Sequence, residues 1–169
     1  MNSTEKFSLV VDYAKDLNAA IVDSRYRDNN NLGSLFKYNY KPELLKEKLE
    51  ITVKLFPGHY NGNVDTNHII INMDKEGFRP ATLIELLALA EEHPELVRCI
   101  MTPGAVVDLN SGRCLTGPNG KHMAGLNSER SPYNYFSGSG GELKRYLFLT
   151  EFHQLHASDS LFLGVEKSN

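Results

Sequence analysis

The sequence of 169 residues predicts an α+β fold from three patterns. Residues 48–56 alternate apolar and polar side chains, which is the period of a strand with one buried face. Residues 77–92 (GFRPATLIELLALAEE) join a helix-start signal to an apolar helical face. After Pro94, short apolar segments are separated by turns rich in proline, glycine and asparagine, which is typical of antiparallel strands.

The chain is predicted to open with a strand and then a helix. Residues 7–11 have the composition of a strand. A helical face follows, formed by Tyr13, Leu17, Ala20, Ile21 and Ser24. The asparagine-rich run that begins at Arg27 predicts a surface loop, because asparagine tolerates left-handed dihedral angles.

The segment before residue 77 allows two interpretations. Asp65 or Thr66 can cap a short helix that extends to Glu76. Residues 69–71 are three isoleucines, and their β-branched side chains also suit a strand. The sequence leaves the helix and the strand open.

The best-defined helix is predicted to begin at Leu83. Pro80 holds Arg79 out of helical dihedral angles, and Thr82 and Glu85 have the T-x-x-E spacing of a capping box. Such a box satisfies two amide donors that the first helical turn leaves unpaired. Arg79 is predicted as a structural clamp that pairs with an acidic partner or with backbone carbonyls, because a guanidinium exchanges protons poorly.

The chain length suits one domain, 1–169. Residues 1–80 are predicted as an N-terminal α/β portion, and residues 81–169 as the capped helix followed by antiparallel strands. The strands after Pro94 are predicted at 98–101, 105–109, 113–116, 146–152 and 161–166.

Charge and hydropathy exclude several classes of partner. The formal net charge is −3 and the basic residues are scattered, so nucleic acid is not expected to bind. No apolar run reaches the ~18 residues of a membrane span, and residues 1–13 lack the features of a secretory signal. A cytoplasmic protein without membrane contact is therefore expected. Cys99 and Cys114 are expected either as two buried thiols or as a pair across neighbouring strands.

Residues 79–90 resemble the R-L-P-T-x-x-E-W-x-x-A-A segment of formylglycine-generating-enzyme-like domains, which have a C-type-lectin-like fold. The matching positions are Arg79, Thr82, Glu85 and Ala90, and Leu86 stands where the tryptophan usually lies. Those enzymes bind copper through cysteines near the end of the domain. This chain has no cysteine after Cys114, so that activity and its cofactor are not expected here.

The pattern RPAT-x-x-ELL-A, with an opening V-V-D-Y strand and a final F-L-x-V-x-K strand, resembles a group of small uncharacterised bacterial proteins. The resemblance covers residues 9–17, 77–96, 100–112 and 145–167. It implies a C-type-lectin-like small twisted antiparallel sheet with two or three packed helices. Residues 146–152 and 161–167 would be the last two strands of that sheet. The resemblance implies no activity.

A candidate binding surface lies in residues 127–141, which are predicted as a loop rich in serine, glycine, asparagine and tyrosine. Tyr133, Tyr135 and Phe136 offer ring surface among small polar residues, a composition typical of adaptable recognition loops. The alternative is that these rings pack onto the core. The expected ligand is a protein or a small molecule.

The other candidate site is a local set of acidic and histidine residues, namely Glu151, His153, His156 and Asp159. Carboxylates and imidazoles at this spacing can bind a metal ion or exchange protons. The alternative is a solvated turn with incidental histidines, because the H-x-x-H spacing is not specific.

These observations favour a non-catalytic binding or interaction domain that needs no cofactor. The alternative function is a small metal-binding protein or enzyme that uses Glu151, His153, His156 and Asp159. A third alternative is a structural subunit of an assembly.

Overall fold

A computed structural model describes residues 6–28, 48–58, 66–96, 98–103, 122–130, 143–151 and 160–167. The described strands are β1 (Lys6–Asp12), β2 (Arg27–Asp28), β3 (Lys48–Pro57), β4 (Phe78–Pro80), β5 (Ile100–Thr102), β6 (His122–Arg130), β7 (Leu143–Glu151) and β8 (Leu161–Glu166). The described helices are α1 (Leu17–Asp23), α2 (Thr66–Lys75) and α3 (Leu83–Glu92). The fold is therefore α+β, as predicted.

All eight described strands belong to one sheet, in the order β1-β3-β8-β5-β6-β7-β2, with β4 also paired to β8. Strand β8 lies antiparallel to β3, where Val53 faces Val165, and antiparallel to β4, where Arg79 faces Val165. It lies parallel to β5, where Ile100 faces Leu161. Strand β8 therefore joins the two halves of the sheet.

The sequence of β8, LFLGVE, explains its central position. Its first five residues are all buried. Leu161, Leu163 and Val165 contribute to one core, and Phe162 contributes to the core on the other face. A strand covered on both faces is expected to be a nearly continuous apolar run, and β8 has that composition.

Helices α1 and α3 cover the first face of the sheet and bury the larger core. In α3, the predicted apolar face of Leu83, Leu86, Leu87 and Ala90 is buried, and so are Ile84, Glu85 and Leu89. The helix thus buries more of its circumference than one stripe, because it packs against β1, α1 and β5.

Helix α2 covers the second face. Ile69 and Met73 of α2 belong to a smaller core with Phe56, Phe78, Met101, Met123 and Phe162. The rings of Phe56 and Phe78 meet edge to face with their centroids 5.5 Å apart. Residues 69–71 are therefore helical, which decides between the two interpretations of that segment.

The predicted antiparallel sheet differs from the observed sheet in its pairing. Residues 146–151 and 161–166 do lie in strands, but β7 and β8 are not neighbours. Strand β7 pairs with β6 and, in parallel, with β2. The two parallel pairs, β5–β8 and β2–β7, make the sheet mixed.

Strand β6 is the main element that the sequence did not predict. Asn127 to Arg130 were predicted as part of a loop, yet they pair with β7 up to the match of Arg130 with Leu143. Arg27 and Asp28 were likewise predicted as a loop but form β2. Both segments are polar, and their extended conformation comes from pairing with β7 rather than from intrinsic preference.

Two further predictions can be placed. Cys99 is a half-buried residue packed against the smaller core, and Cys114 lies outside the described residues. The predicted strands at 105–109 and 113–116 also lie outside them.

Strand β3 was predicted to bury Leu49, Ile51, Val53 and Leu55. Val53 and Leu55 are buried and Ile51 is half-buried, whereas Leu49 is exposed near the start of β3.

We predict that Gly164→Ala destabilises the fold by about 1–3 kcal/mol, because a side chain there overpacks the core. A Cβ at residue 164 would lie 2.7 Å from Cε2 of Phe56 and 3.4 Å from Cβ of Phe78. Urea unfolding measures the change. In a Phe56→Leu background the same substitution should cost less, because the clashing ring atom is absent. An equal cost in both backgrounds would contradict this account.

Candidate functional site

The buried side chain of Glu85 connects three parts of the chain. It lies in the first turn of α3 and has no exposed surface. Arg79, at β4, donates from Nη2 to Glu85 Oε1 at 2.7 Å and from Nη1 to Oε2 at 3.1 Å. Tyr13, just after β1, donates its hydroxyl to Oε1 at 2.6 Å. These bonds hold β1, β4 and α3 together.

The N-terminus of α3 has the predicted start at Leu83. Thr82 is extended, with φ −89° and ψ 170°, and its amide donates to Oε2 of Glu85 at 2.6 Å. The Thr82 hydroxyl lies beside the Glu85 amide, as in a capping box. Within the described residues this hydroxyl has no hydrogen-bond partner, so Glu85 provides the hydrogen-bonded half of the box.

Glu85 is held in its ionised form. Burial raises the pKa of a carboxyl group, but the hydrogen bonds and charge of Arg79 oppose that effect here. The hydroxyl of Tyr13 and the amide of Thr82 add to them, and the pKa of Glu85 is lowered. Arg79 is 39% exposed, so one side of this ion pair reaches solvent.

A second acidic residue of α3 fixes the helix along β1. Glu92 Oε1 accepts the backbone N–H of Val10 at 3.0 Å. The seven residues from Glu85 to Glu92 span about 10 Å of helix, and the three from Val10 to Tyr13 span about 10 Å of strand. The equal spacing allows both contacts at once, with α3 antiparallel to β1.

A cleft of about 410 Å³ lies between β1, α1 and α3. Its apolar lining is formed by Val10, Val11, Ala20, Ile84 and Ala88. Its charged lining is formed by Asp12, Lys15, Lys48, Glu91 and Glu92. The volume is within the range of about 300–1,000 Å³ that is usual for ligand pockets.

Among the charged residues that line the cleft, Lys15 makes the most ion pairs. Its Nζ lies 2.8 Å from an oxygen of Asp23 and 2.7 Å from an oxygen of Glu91. Burial lowers the pKa of a lysine, but the hydrogen bonds and charges of these two carboxylates outweigh it, and the pKa of Lys15 is raised. Lys15 therefore remains an ammonium group at neutral pH.

The predicted aromatic site, Tyr133, Tyr135 and Phe136, lies outside the described residues. The same is true of His153, His156 and Asp159. Glu151 is the last residue of β7 and pairs in register with His122 of β6. Within the part of the chain that the structure describes, no group of three or more histidine, cysteine or acidic residues could hold a metal ion.

The cleft was not predicted from the sequence. Its charged residues come from three separate segments and meet only in the folded chain. One local signal was present, because Glu91 and Glu92 end a helix that is otherwise almost entirely apolar. Acidic residues at that end of a helix do not complement its dipole, which points to another role for them.

Comparison with protein-family models, with curated proteins and with solved structures finds no match for this chain. No helix among the described residues is long and apolar enough to cross a membrane.

We predict that Arg79→Ala destabilises the protein by roughly 2–3 kcal/mol, because it leaves a buried carboxylate without its charged partner. This figure is below the range for fully buried pairs because Arg79 is 39% exposed. The melting midpoint and urea unfolding measure the loss. In a Glu85→Gln background the same change should cost clearly less. An unchanged melting midpoint in Arg79→Ala would refute the structural role of Arg79.

We predict that Glu85 contributes to acid sensitivity. Its folded pKa is below the ordinary value of 4.5, so the unfolded chain binds more protons in the interval between the two values. The stability from ionised Glu85 is complete above the ordinary pKa and is lost as pH falls through the lowered folded pKa. Unfolding free energy measured from about pH 3 to pH 6 should vary less steeply in Glu85→Gln. Parallel pH profiles would contradict this prediction.

Proposed function

We propose that this protein is a non-catalytic binding domain and that the cleft between β1, α1 and α3 is a ligand site. The observation that carries the proposal is the combination of an apolar floor, accessible at Val10 and Ala88, with charged walls in a ligand-sized cleft. An apolar floor favours the body of a ligand, and the charges fix its orientation.

The state of Lys15 favours recognition over covalent chemistry. A lysine acts as a nucleophile through its neutral amine, which requires a lowered pKa. The pKa of Lys15 is raised and its Nζ is bonded to two carboxylates. This lysine is therefore suited to hold the cleft walls together rather than to attack a substrate.

The aromatic residues Tyr133, Tyr135 and Phe136, which lie between β6 and β7 in the sequence, remain proposed as a second contact surface. A C-type-lectin-like classification is also proposed. It is supported by the motif that starts at Arg79 and by the strands β7 and β8 near the end of the fold. The mixed sheet departs from the antiparallel sheet that this classification implies. The cytoplasmic location remains a prediction.

The metal-binding alternative keeps one supporting observation. The backbone of His122 lies directly across from Glu151, which belongs to the predicted set of Glu151, His153, His156 and Asp159. Elemental analysis of the full chain tests this alternative. Stoichiometric metal that is lost in a His153→Ala/His156→Ala variant would favour it over a metal-free binding domain.

The binding function can be tested by NMR titration of the full chain with n-butylamine, butyrate and n-butanol. Saturable shifts of amide signals from Val11, Ala20, Ile84 and Ala88 are expected for at least one probe. Ala88→Leu should fill the cleft and weaken that binding by about tenfold or more, equivalent to roughly 1.4 kcal/mol.

Ala19→Leu is the matched control, because Ala19 is exposed on α1 and does not line the cleft. It should leave binding unchanged. If no probe gives saturable shifts, or if both variants bind as the parent does, the cleft is not the ligand site.

A further inference from the structure

The cleft has an excess of negative charge. Three carboxylates and two ammonium groups line it, and Asp23 adds a fourth carboxylate at Lys15. Lys15 is bonded to Asp23 and Glu91, so its positive charge is already balanced. Of the two remaining carboxylates of the lining, Glu92 has no ion-pair partner among the described side chains, and Asp12 has one distant partner, Lys48.

Asp12 and Glu92 are positioned by backbone amides. Asp12 Oδ1 accepts from the Ala14 amide at 3.1 Å, and Glu92 Oε1 accepts from the Val10 amide at 3.0 Å. An amide orients a carboxylate but does not cancel its charge. Lys48 Nζ lies 3.9 Å from Asp12 Oδ2, and its side chain is 69% exposed, so this pair is weak.

Building on the proposed function, we infer that the ligand of the cleft is an aliphatic ammonium or guanidinium group. The cation lies between Asp12 and Glu92, and the aliphatic stem lies on the accessible apolar lining formed by Val10 and Ala88. Val10, which holds Glu92, and Asp12 are two residues apart on β1. The backbone positions of Val10 and Asp12 are therefore about 7 Å apart along the strand, a span that one cation and its stem can occupy.

The same charges disfavour an anionic ligand. A carboxylate or phosphate in the cleft would meet Asp12 and Glu92, and among the described residues of the lining only exposed Lys48 would be available as a cation. The excess of carboxylates also attracts cations from solution, and this attraction weakens as salt screens it.

NMR titration of the full chain with n-butylamine, sodium butyrate and n-butanol tests the ligand class. Butylamine should bind at least about tenfold more tightly than either other probe, and its affinity should fall as sodium chloride is added. Asp12→Asn and Glu92→Gln remove charge at nearly constant size. Each should weaken butylamine binding by about tenfold while butanol binding stays the same.

Glu95→Gln is the matched control, because Glu95 is an exposed acid just beyond α3 and does not line the cleft. It should leave butylamine binding unchanged. Tighter binding of N-acetyl-lysine amide than of butylamine would assign the cation to a peptide side chain, and the reverse would assign it to a free amine. Both results support the shared chemistry.

The two proposals fail in different ways. Equal or tighter binding of butyrate or butanol in the cleft would overturn the inference and leave the binding function standing. Equal loss of affinity in Glu95→Gln and Glu92→Gln would also overturn it. Absence of saturable binding by all probes would overturn the proposed function itself.

Discussion

The rest of this structure depends on the partners that compensate the negative charge of one buried carboxylate. Glu85 has no exposed surface, and an ionised carboxylate in that position costs several kcal/mol unless it is paired and hydrogen-bonded. Arg79, Tyr13 and the Thr82 amide supply its partners from β4, from the end of β1 and from the cap of α3. Each of these elements therefore depends on the others for its position.

This arrangement also determines where the cleft lies. Glu85 fixes one end of α3 against the end of β1, and Glu92 fixes the other end against Val10. Lys15 then ties the last turn of α3 to α1 through Glu91 and Asp23. The proposed binding and the stability of the fold thus involve the same helix but different carboxylates.

The sequence could predict the elements whose signals are local. The alternation in β3 and the spacing of Thr82 and Glu85 before α3 reflect interactions between residues that are close in the sequence. Both elements formed where expected. Strands β2 and β4 are short and residues 127–130 of β6 are polar, so these segments could not be predicted in this way. They are extended because they pair with β7 or β8. The cleft could not be predicted for a similar reason, since Lys15 and Glu91 are neighbours only after folding. The roles proposed for Tyr133 and His153 remain predictions.

The place of β8 in the sheet has a consequence for biosynthesis. Among the described strands, β8 is the last in chain order, yet it lies between β3 and β5. Until it is present, the strands of the continuous order can form only two separate groups, β1 with β3 and β5 with β6, β7 and β2. A ribosome adds residues in order, so the strand that joins the two groups is absent during most of translation. The nascent chain therefore exposes apolar strand edges until residues 161–166 leave the exit tunnel.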